Sequence, residues 1–236
     1  MFMNRRPPNR GQRGGYRERP EPEPKPFDKV VISRGAERRK ITGHEKFSGQ
    51  YSGKLECLLK VLTPVHVGSG IYELVGDMPV RGVVSNDRKV VVPGSSLKGA
   101  VCSVVEAISN SCVRIVNRNV KGNLARSDVT ECGKKELEAG ELCVACRLFG
   151  SLGYQGRVSF TDAVLTKGGL EIHRVLSPYP PRETARVYKN QRGQFDGRKF
   201  YYHGQPAPAD RGEPYQVIQR GSELHFTFQF ESLAAA

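Results

Sequence analysis

The chain has 236 residues, of which 38% are hydrophobic and 26% charged, as in an ordinary soluble protein of one domain or two small ones. Its formal net charge of +13 indicates a polyanionic partner, either nucleic acid or a membrane surface. The sequence has no run of about 18 apolar residues and its arginine-rich start lacks a signal-peptide core, which excludes transmembrane and secreted classes. We expect a cytoplasmic protein whose six cysteines are free or metal-bound.

Residues 1–26 form a basic, proline-rich arm. Seven lysines and arginines stand against three glutamates, and prolines alternate with glutamates from Pro20 to Pro24. This composition cannot build a packed core, so we predict a disordered arm that passes into a stiff linker. The arm is as compatible with loose RNA contact as with a solubilising role. The folded domain is expected to cover residues 27–236.

The first elements of the body are two strands and a helix. Alternating apolar residues over Leu55–Leu62 predict a mostly buried strand, and Val90–Val92 form a second short strand that ends at Pro93 and Gly94. Ser95 is placed to cap the helix that follows. The apolar face of that helix is predicted to consist of Leu97, Val101, Val104, Val105 and Ile108.

The start of this helix has the chemistry of an anion site. The first N–H groups of a helix lack partners and carry a partial positive charge. The hydroxyls of Ser95 and Ser96 and the cation of Lys98 add to it. These residues are therefore candidates for phosphate contact, although a Pro-Gly-Ser-Ser segment often does no more than start a helix.

Four cysteines frame a Lys/Gly-rich segment with little apolar periodicity. Cys143 and Cys146 form a short-spaced pair, and Cys112 and Cys132 lie upstream. Such a segment cannot bury a core of its own, whereas a Zn²⁺ ion held by four thiolates would hold it together. Free cysteines are the alternative, as is a site in which Cys102 or a histidine replaces Cys112.

Two further segments carry cations suited to RNA. Arg157 follows a glycine-rich loop that begins at Phe149, so its guanidinium could grip a phosphate. A plain turn with a solvated arginine is the alternative. Residues 197–204 interleave cations with aromatic rings, which suits stacking on splayed bases, although a strand with its ends in solvent would look the same. The candidate RNA-binding residues of that stretch are Arg198, Lys199, Tyr201 and His203.

Two more strands complete the predicted sheet. Val158–Leu165 forms one, and the alternation Leu224–Phe230 forms the other. The order strand, helix, strand, strand is the opening of a ferredoxin-like βαββαβ unit, so we predict an α+β fold.

Three segments in this order resemble the RAMP superfamily of CRISPR-associated proteins: Leu62–Gly70, Val92–Gly99 and Cys146–Ser151. More narrowly, they are similar to the backbone subunit of type III effector complexes, and residues 197–204 to type III-D and III-E backbone proteins. The resemblance implies a ferredoxin-like (RRM-like) fold with a thumb hairpin at about 69–90 and a zinc-bound insertion at about 110–147. The family's C-terminal helix and last strand are expected to be absent, as in a truncated chain.

The resemblance also implies a catalytic residue. In the nuclease subunits of the family, an aspartate before a Pro-Val pair in the thumb cleaves target RNA, and Asp77 matches that position. Gly76 stands where many relatives have a hydrophobic residue. Asp77 would bind Mg²⁺ or Mn²⁺ together with target RNA, or orient the ribose 2′-hydroxyl. A turn residue beside glycine is the alternative.

The resemblance predicts a divalent-metal-dependent endoribonuclease that binds guide CRISPR RNA and cuts complementary target RNA. The implied partners are guide RNA, target RNA and other effector subunits: further RAMP proteins, the small subunit and the large polymerase-like subunit. No membrane partner is expected. The alternatives are a non-catalytic assembly subunit, an endoribonuclease that processes precursor guide RNA, and a zinc-stabilised RNA-binding protein outside CRISPR systems.

Overall fold

A computed structural model describes residues 27–46, 50–114, 121–176, 188–201 and 212–234, in which strands predominate. The arm predicted for residues 1–26 lies outside the described residues. In chain order the strands are β1 (Phe27–Val31), β2 (Arg38–Lys40), β3 (Gln50–Lys60), β4 (Gly68–Val75), β5 (Met78–Val83), β6 (Ser85–Asn86), β7 (Lys89–Val92), β8 (Glu141–Cys143), β9 (Gly150–Ser151), β10 (Tyr154–Gln155), β11 (Val158–Phe160), β12 (Ala163–Lys167), β13 (Leu170–Val175), β14 (Gly197–Tyr201), β15 (Glu213–Ile218) and β16 (Glu223–Ala234). The helices are α1 (Gly94–Ile108), α2 (Lys134–Glu138) and α3 (Val144–Phe149), with a 3-10 turn at Ser127–Val129.

The largest sheet is antiparallel and has β16 at its centre. One edge of β16 pairs with β3, and its other edge pairs with β11 and then β12, which leads through β7 to β6. The predicted strand, helix, strand and strand are therefore β3, α1, the pair β11/β12, and β16. The α+β fold predicted from the sequence is confirmed, and strands predominate in it.

Two phenylalanines of β16, Phe228 and Phe230, pack against one core, on the side of the sheet that α1 covers. The ring centroids of Phe160 and Phe228 are 5.0 Å apart, and those of Phe228 and Phe230 are 6.1 Å apart. This cluster includes Val105 and Cys102 of α1, so alternation in β16 and helical spacing in α1 meet in one apolar layer.

Strand β3 lies at the sheet edge, and this overturns the prediction that it is mostly buried. Leu55 and Leu58 are each 55% exposed. The physical reason is the topology: β3 pairs with β16, and no other described strand pairs with its outer edge.

The buried side of α1 also differs from the prediction. Val101, Val104 and Ile108 are 41%, 49% and 80% exposed, whereas Cys102 and Glu106 are buried. The helix is thus apolar on two sides, and its described neighbours cover only the side that carries Cys102. Sequence periodicity cannot choose between two apolar sides.

A second sheet contains a hairpin within the segment for which the thumb is predicted, about 69–90. Its order is β13–β15–β5–β4, with β4 and β5 joined by a tight turn and β15 parallel to β5. We call β4 and β5, residues 68–83, the thumb hairpin.

The cysteine-rich segment is held by small strand pairs and short helices. Strand β2 pairs with β8, and β1 pairs with β14. We call residues 110–147 the cysteine insertion.

Candidate functional site

The four predicted cysteines come together in the cysteine insertion. Their Sγ atoms all lie within 4.8 Å of one another, and Cys112 Sγ is 3.5 Å from the Sγ atoms of both Cys143 and Cys146. Four sulfurs bound tetrahedrally to zinc at 2.3 Å would be about 3.8 Å apart. Among the described residues this is the one group of three or more potential ligands with metal-site spacing. The four sulfurs could therefore hold a Zn²⁺ ion.

Local structure explains this convergence. Cys143 ends β8 and precedes α3, whose first turn carries Cys146. Cys112 follows the end of α1, and its neighbour Ser111 accepts a hydrogen bond from the Ala145 N–H at 3.1 Å. A bridge between Val113 and Thr130 then brings Cys132 alongside. All four cysteines are at most 4% exposed, so the chain itself buries the cluster.

Two arginines offset the charge that thiolates would bring to the cluster. Hydrogen bonds from neighbouring thiols, led by Cys112, lower the pKa of Cys132 to about 6. Burial opposes the charge on both Arg38 and Arg114. The nearby thiols outweigh this effect and raise the pKa of each guanidinium. The thiol beside Arg38 is Cys132, and those beside Arg114 are Cys102 and Cys146.

Cys102 is not part of the cluster, so the variant in which it replaces Cys112 is wrong. Its Sγ atom lies 3.7 Å from a carboxylate oxygen of Glu106, in the apolar core between α1 and the sheet. Burial raises the pKa of the Cys102 thiol. Cys57, the sixth cysteine, is half-buried on β3.

Asp77 lies at the tip of the thumb hairpin. Gly76 and Asp77 form the two-residue loop between β4 and β5, and Gly76 has a φ of +61°, which favours glycine at that position. The Asp77 side chain is exposed and has no hydrogen-bond or ion-pair partner among the described residues. The carboxylate is thus available to an external ligand, while the turn alone also accounts for an aspartate here.

The start of α1 presents Ser95 and Ser96 to solvent, with Lys98 half-buried. The helix begins two residues earlier than predicted, with Pro93 at the cap position, so Ser95 is not the cap. Asp162, which sequence reasoning did not find, accepts the Gly94 N–H at 2.9 Å. Asp162 is 68 residues from Gly94 in the sequence, so no local sequence pattern indicates this hydrogen bond. Phosphate contact by Ser95, Ser96 and Lys98 stays a prediction.

Arg157 is buried and bonded within the chain. Its guanidinium donates to the carbonyl oxygens of Ser232 (2.7 Å) and Thr42, and to the Tyr154 hydroxyl at 3.0 Å. Gly156 lies so close to the backbone of Phe149 that a Cβ there would be 2.4 Å from the Phe149 carbonyl carbon. In this structure the glycine-rich loop and Arg157 serve internal packing, and their contact with guide RNA stays a prediction.

Arg198 ties β14 to α1 and to the cysteine cluster. Its guanidinium pairs with Glu106 at 2.8 Å and donates to the carbonyl oxygens of Ser111 and Cys112 at 3.1 and 3.0 Å. Sequence reasoning did not single out Glu106, whose buried carboxyl lies mid-helix. Burial raises the pKa of Glu106 although Arg198 and Arg114 act against that rise. RNA binding by Arg198 stays a prediction.

Lys199 lies among aromatic rings. Its Nζ atom is 4.2 Å from the ring centroid of Phe27, 4.8 Å from that of Tyr201 and 5.1 Å from that of Tyr188. Burial opposes its charge, but hydrogen bonding with Tyr201 and Tyr188 outweighs this and raises the Lys199 pKa. The predicted cation and aromatic ring are therefore adjacent, and His203 lies outside the described residues.

His66, between β3 and β4, makes contacts within the chain. Its Nδ1 atom is 2.7 Å from the Gln216 carbonyl oxygen, and its ring lies edge-on to Tyr215 with centroids 4.9 Å apart.

Comparison with known proteins places the chain in a family. No helix of the described residues is long and apolar enough to cross a membrane. A search of curated proteins finds no match. A solved structure described as "Cryo-EM structure of the Type III-B Cmr-beta bound to cognate target RNA" is similar at a TM-score of 0.37 and 14% identity, over 77% of this chain and 47% of that one. This chain thus spans about half the length of that protein. The RAMP superfamily model matches residues 58–230, most of the chain, and the chain belongs to the RAMP superfamily.

Proposed function

We propose that this chain is a guide-RNA-binding backbone subunit of a type III CRISPR effector complex, of type III-D or III-E, located in the cytoplasm. The observation that carries the proposal is RAMP membership over residues 58–230. A net charge of +13 supports a nucleic-acid partner, and the exposed start of α1 with Ser95, Ser96 and Lys98 offers a phosphate contact. Guide RNA, target RNA and the other effector subunits are the proposed partners.

The binding proposal is tested by expressing the chain with a CRISPR array and its partner subunits and sequencing the RNA that co-purifies. We expect repeat-derived guide RNA. Its affinity should fall steeply with salt, because most binding energy comes from phosphate contacts and counterion release. A Lys98→Gln variant should reduce the log–log salt slope by about one. Random cellular RNA in the complex would contradict the proposal.

The proposed reaction is cleavage of target RNA centred on Asp77. The target 2′-oxygen loses its proton and bonds to the adjacent phosphorus, the bond from phosphorus to the 5′-oxygen breaks, and that oxygen gains a proton. The products are a 2′,3′-cyclic phosphate and a 5′-hydroxyl. Asp77 supports this reaction because it is exposed at the thumb tip. One carboxylate binds Mg²⁺ or Mn²⁺ weakly, so phosphate oxygens of the bound RNA would complete the site.

A non-catalytic assembly subunit is the second candidate. The observation that favours it is the position of Asp77 in a two-residue hairpin turn, where an aspartate needs no catalytic reason. Processing of precursor guide RNA would depend on His203 or His66 and not on Asp77. This function is less well supported, because His66 is bonded to the Gln216 carbonyl oxygen.

The cysteine cluster is proposed to hold a structural Zn²⁺ ion through Cys112, Cys132, Cys143 and Cys146. Four thiolates leave zinc no open position, so the ion would supply folding energy and no catalysis. It would fix the cysteine insertion to the end of α1.

We further propose that another helix and strand complete the largest sheet at the outer edge of β3. The support is the outer edge of β3, with which no described strand pairs, together with exposed apolar side chains on the same side of the sheet, among them Leu55 and Val104. Leu55→Lys should leave the isolated chain folded but weaken its assembly into the complex. Unchanged assembly would contradict this completion.

A further inference from the structure

One row of side chains crosses the sheet that contains the thumb hairpin. The register pairs Tyr72 with Arg81, Arg81 with Tyr215, and Tyr215 with His173. One residue from each of the four strands therefore lies on the same face. Tyr72 is 55% exposed, and the side chains of Arg81 and His173 are 40% and 36% exposed. Three of the four members are thus open to solvent, and Tyr215 is half-buried.

The opposite face of the same sheet is buried at its two central strands, β5 and β15. Val80 on β5 is fully buried, and Ile218 on β15 is 1% exposed and belongs to a core cluster. Side chains alternate between the two faces of a strand, so β5 and β15 are anchored by one face and present Arg81 and Tyr215 on the other.

The row is held rigid by its own contacts. The Arg81 guanidinium carbon lies 5.0 Å from the ring centroid of Tyr72 and 5.8 Å from that of Tyr215. Glu213 accepts hydrogen bonds from the Tyr72 and Tyr215 hydroxyls at 2.5 and 3.4 Å, and its carboxylate is 2.9 Å from Arg81 Nε. Rings and guanidinium are thereby fixed before any ligand arrives, which lowers the entropic cost of binding.

We propose that this row is a stacking platform for unpaired bases of RNA. Neighbouring strands are about 4.8 Å apart, so four strands span roughly 14 Å, enough for two or three bases. Aromatic rings and a guanidinium plane stack on any base, because every base has a π-face.

The charges around the row fit a base better than a charged ligand. Glu213 is paired with Arg81, and Glu171 lies 2.9 Å from His173 Nε2. The platform itself is thus close to neutral, while the chain as a whole carries +13 and attracts the phosphate backbone. The inference rests on the proposed RNA-binding function and adds a contact surface that leaves Asp77, Ser95 and the cysteines uninvolved.

Binding of a fluorescently labelled oligouridine to the full chain tests the platform. Tyr72→Ala should weaken binding about tenfold through loss of one stacked base, whereas Tyr72→Phe, which keeps the ring, should bind nearly as well as the wild type. The salt slope should not change in either variant, because no phosphate-pairing cation is removed. Val75→Ala, on the same strand but the other face, is the matched control and should bind as the wild type.

A second variant still tests the platform if Tyr72→Ala does not fold. His173→Ala, at the other end of the row, should also weaken binding without changing the salt slope. If Tyr72→Ala and His173→Ala both bind RNA as tightly as the wild type, the platform proposal is overturned and the proposed RNA-binding function still stands. Loss of association with a protein subunit in these variants, with RNA binding kept, would overturn it in favour of a protein interface. A wild-type chain that binds no RNA would overturn the proposed function as well.

Discussion

The cysteine insertion and the thumb hairpin carry the two kinds of chemistry proposed for this chain, and they are built in opposite ways. The cysteine sulfurs are buried and already lie within 4.8 Å of one another, with Arg38 and Arg114 beside them. Asp77 is an exposed side chain on a two-residue turn, without a described partner. The chain thus assembles its structural site alone, whereas its proposed catalytic site requires RNA to supply the remaining ligands.

The largest effect is expected from removing the metal ligands. Cys143→Ser should abolish stoichiometric zinc binding and unfold the cysteine insertion, because apparent zinc-binding energies of about 10–16 kcal/mol contribute directly to folding. Zinc content by mass spectrometry and thermal unfolding with and without chelator measure this. Cys57→Ser, outside the cluster, is the control. A Cys143→Ser protein with full zinc content and an unchanged melting temperature would show that the cluster holds no structural metal.

Breaking the ion pair beside the cluster should cost less. Arg198→Ala leaves Glu106 buried without its closest partner and removes two bonds to carbonyl oxygens, so we expect a loss of about 3 kcal/mol in the free energy of unfolding. Denaturant titration measures this loss. Arg39→Ala, which breaks the exposed pair with Glu37, should cost under about 1 kcal/mol. If the two variants lose the same free energy of unfolding, Arg198 does not stabilise the cysteine insertion.

Neutralising a cation near the thiolates should weaken metal affinity. Arg38 lies opposite Cys143 in the β2–β8 pair and donates to the Thr130 carbonyl oxygen at 3.0 Å. Arg38→Met should lower zinc affinity about 10- to 100-fold in competition with a chromogenic chelator, as outer-shell changes do. Lys40→Met, an exposed change on the same strand, should leave the affinity as it is. If both variants bind zinc alike, the cluster charge is not offset by Arg38.

The smallest stability effect is expected at the thumb tip. Asp77→Asn changes an exposed side chain without a described partner, so the free energy of unfolding should change by less than about 0.5 kcal/mol. Asp87→Asn, in the turn between β6 and β7, is the matched control. A large loss at Asp77 alone in denaturant titration would show that the turn itself depends on this carboxylate.

Sequence reasoning succeeded where the signal was local or chemical. Alternation located β16, helical spacing located α1, and the chemistry of thiols grouped Cys112 with three partners up to 34 residues away. Side-chain environments were harder, because they depend on distant pairings. Arg157 bonds to Ser232, 75 residues further along, and nothing near Arg157 in the sequence distinguishes this bond from an RNA contact.

The same reason explains the errors on β3 and α1. Leu55 reads as buried because it alternates with polar residues, yet its exposure is set by which strands flank β3. Val101 and Cys102 are both apolar, and only the packing of α1 on the sheet decides which side is covered.

The central claim is that Asp77 cleaves target RNA while the cysteine cluster remains structural. Its most direct test is the single-turnover rate of target cleavage by complexes reconstituted with guide RNA and Mg²⁺. We expect the Asp77→Asn complex to bind guide and target RNA normally and to cut at least about 100-fold more slowly. The Asp87→Asn complex should cut at the wild-type rate and leave 2′,3′-cyclic phosphate ends. Undiminished cutting by the Asp77→Asn complex would contradict the claim and make this chain a non-catalytic backbone subunit.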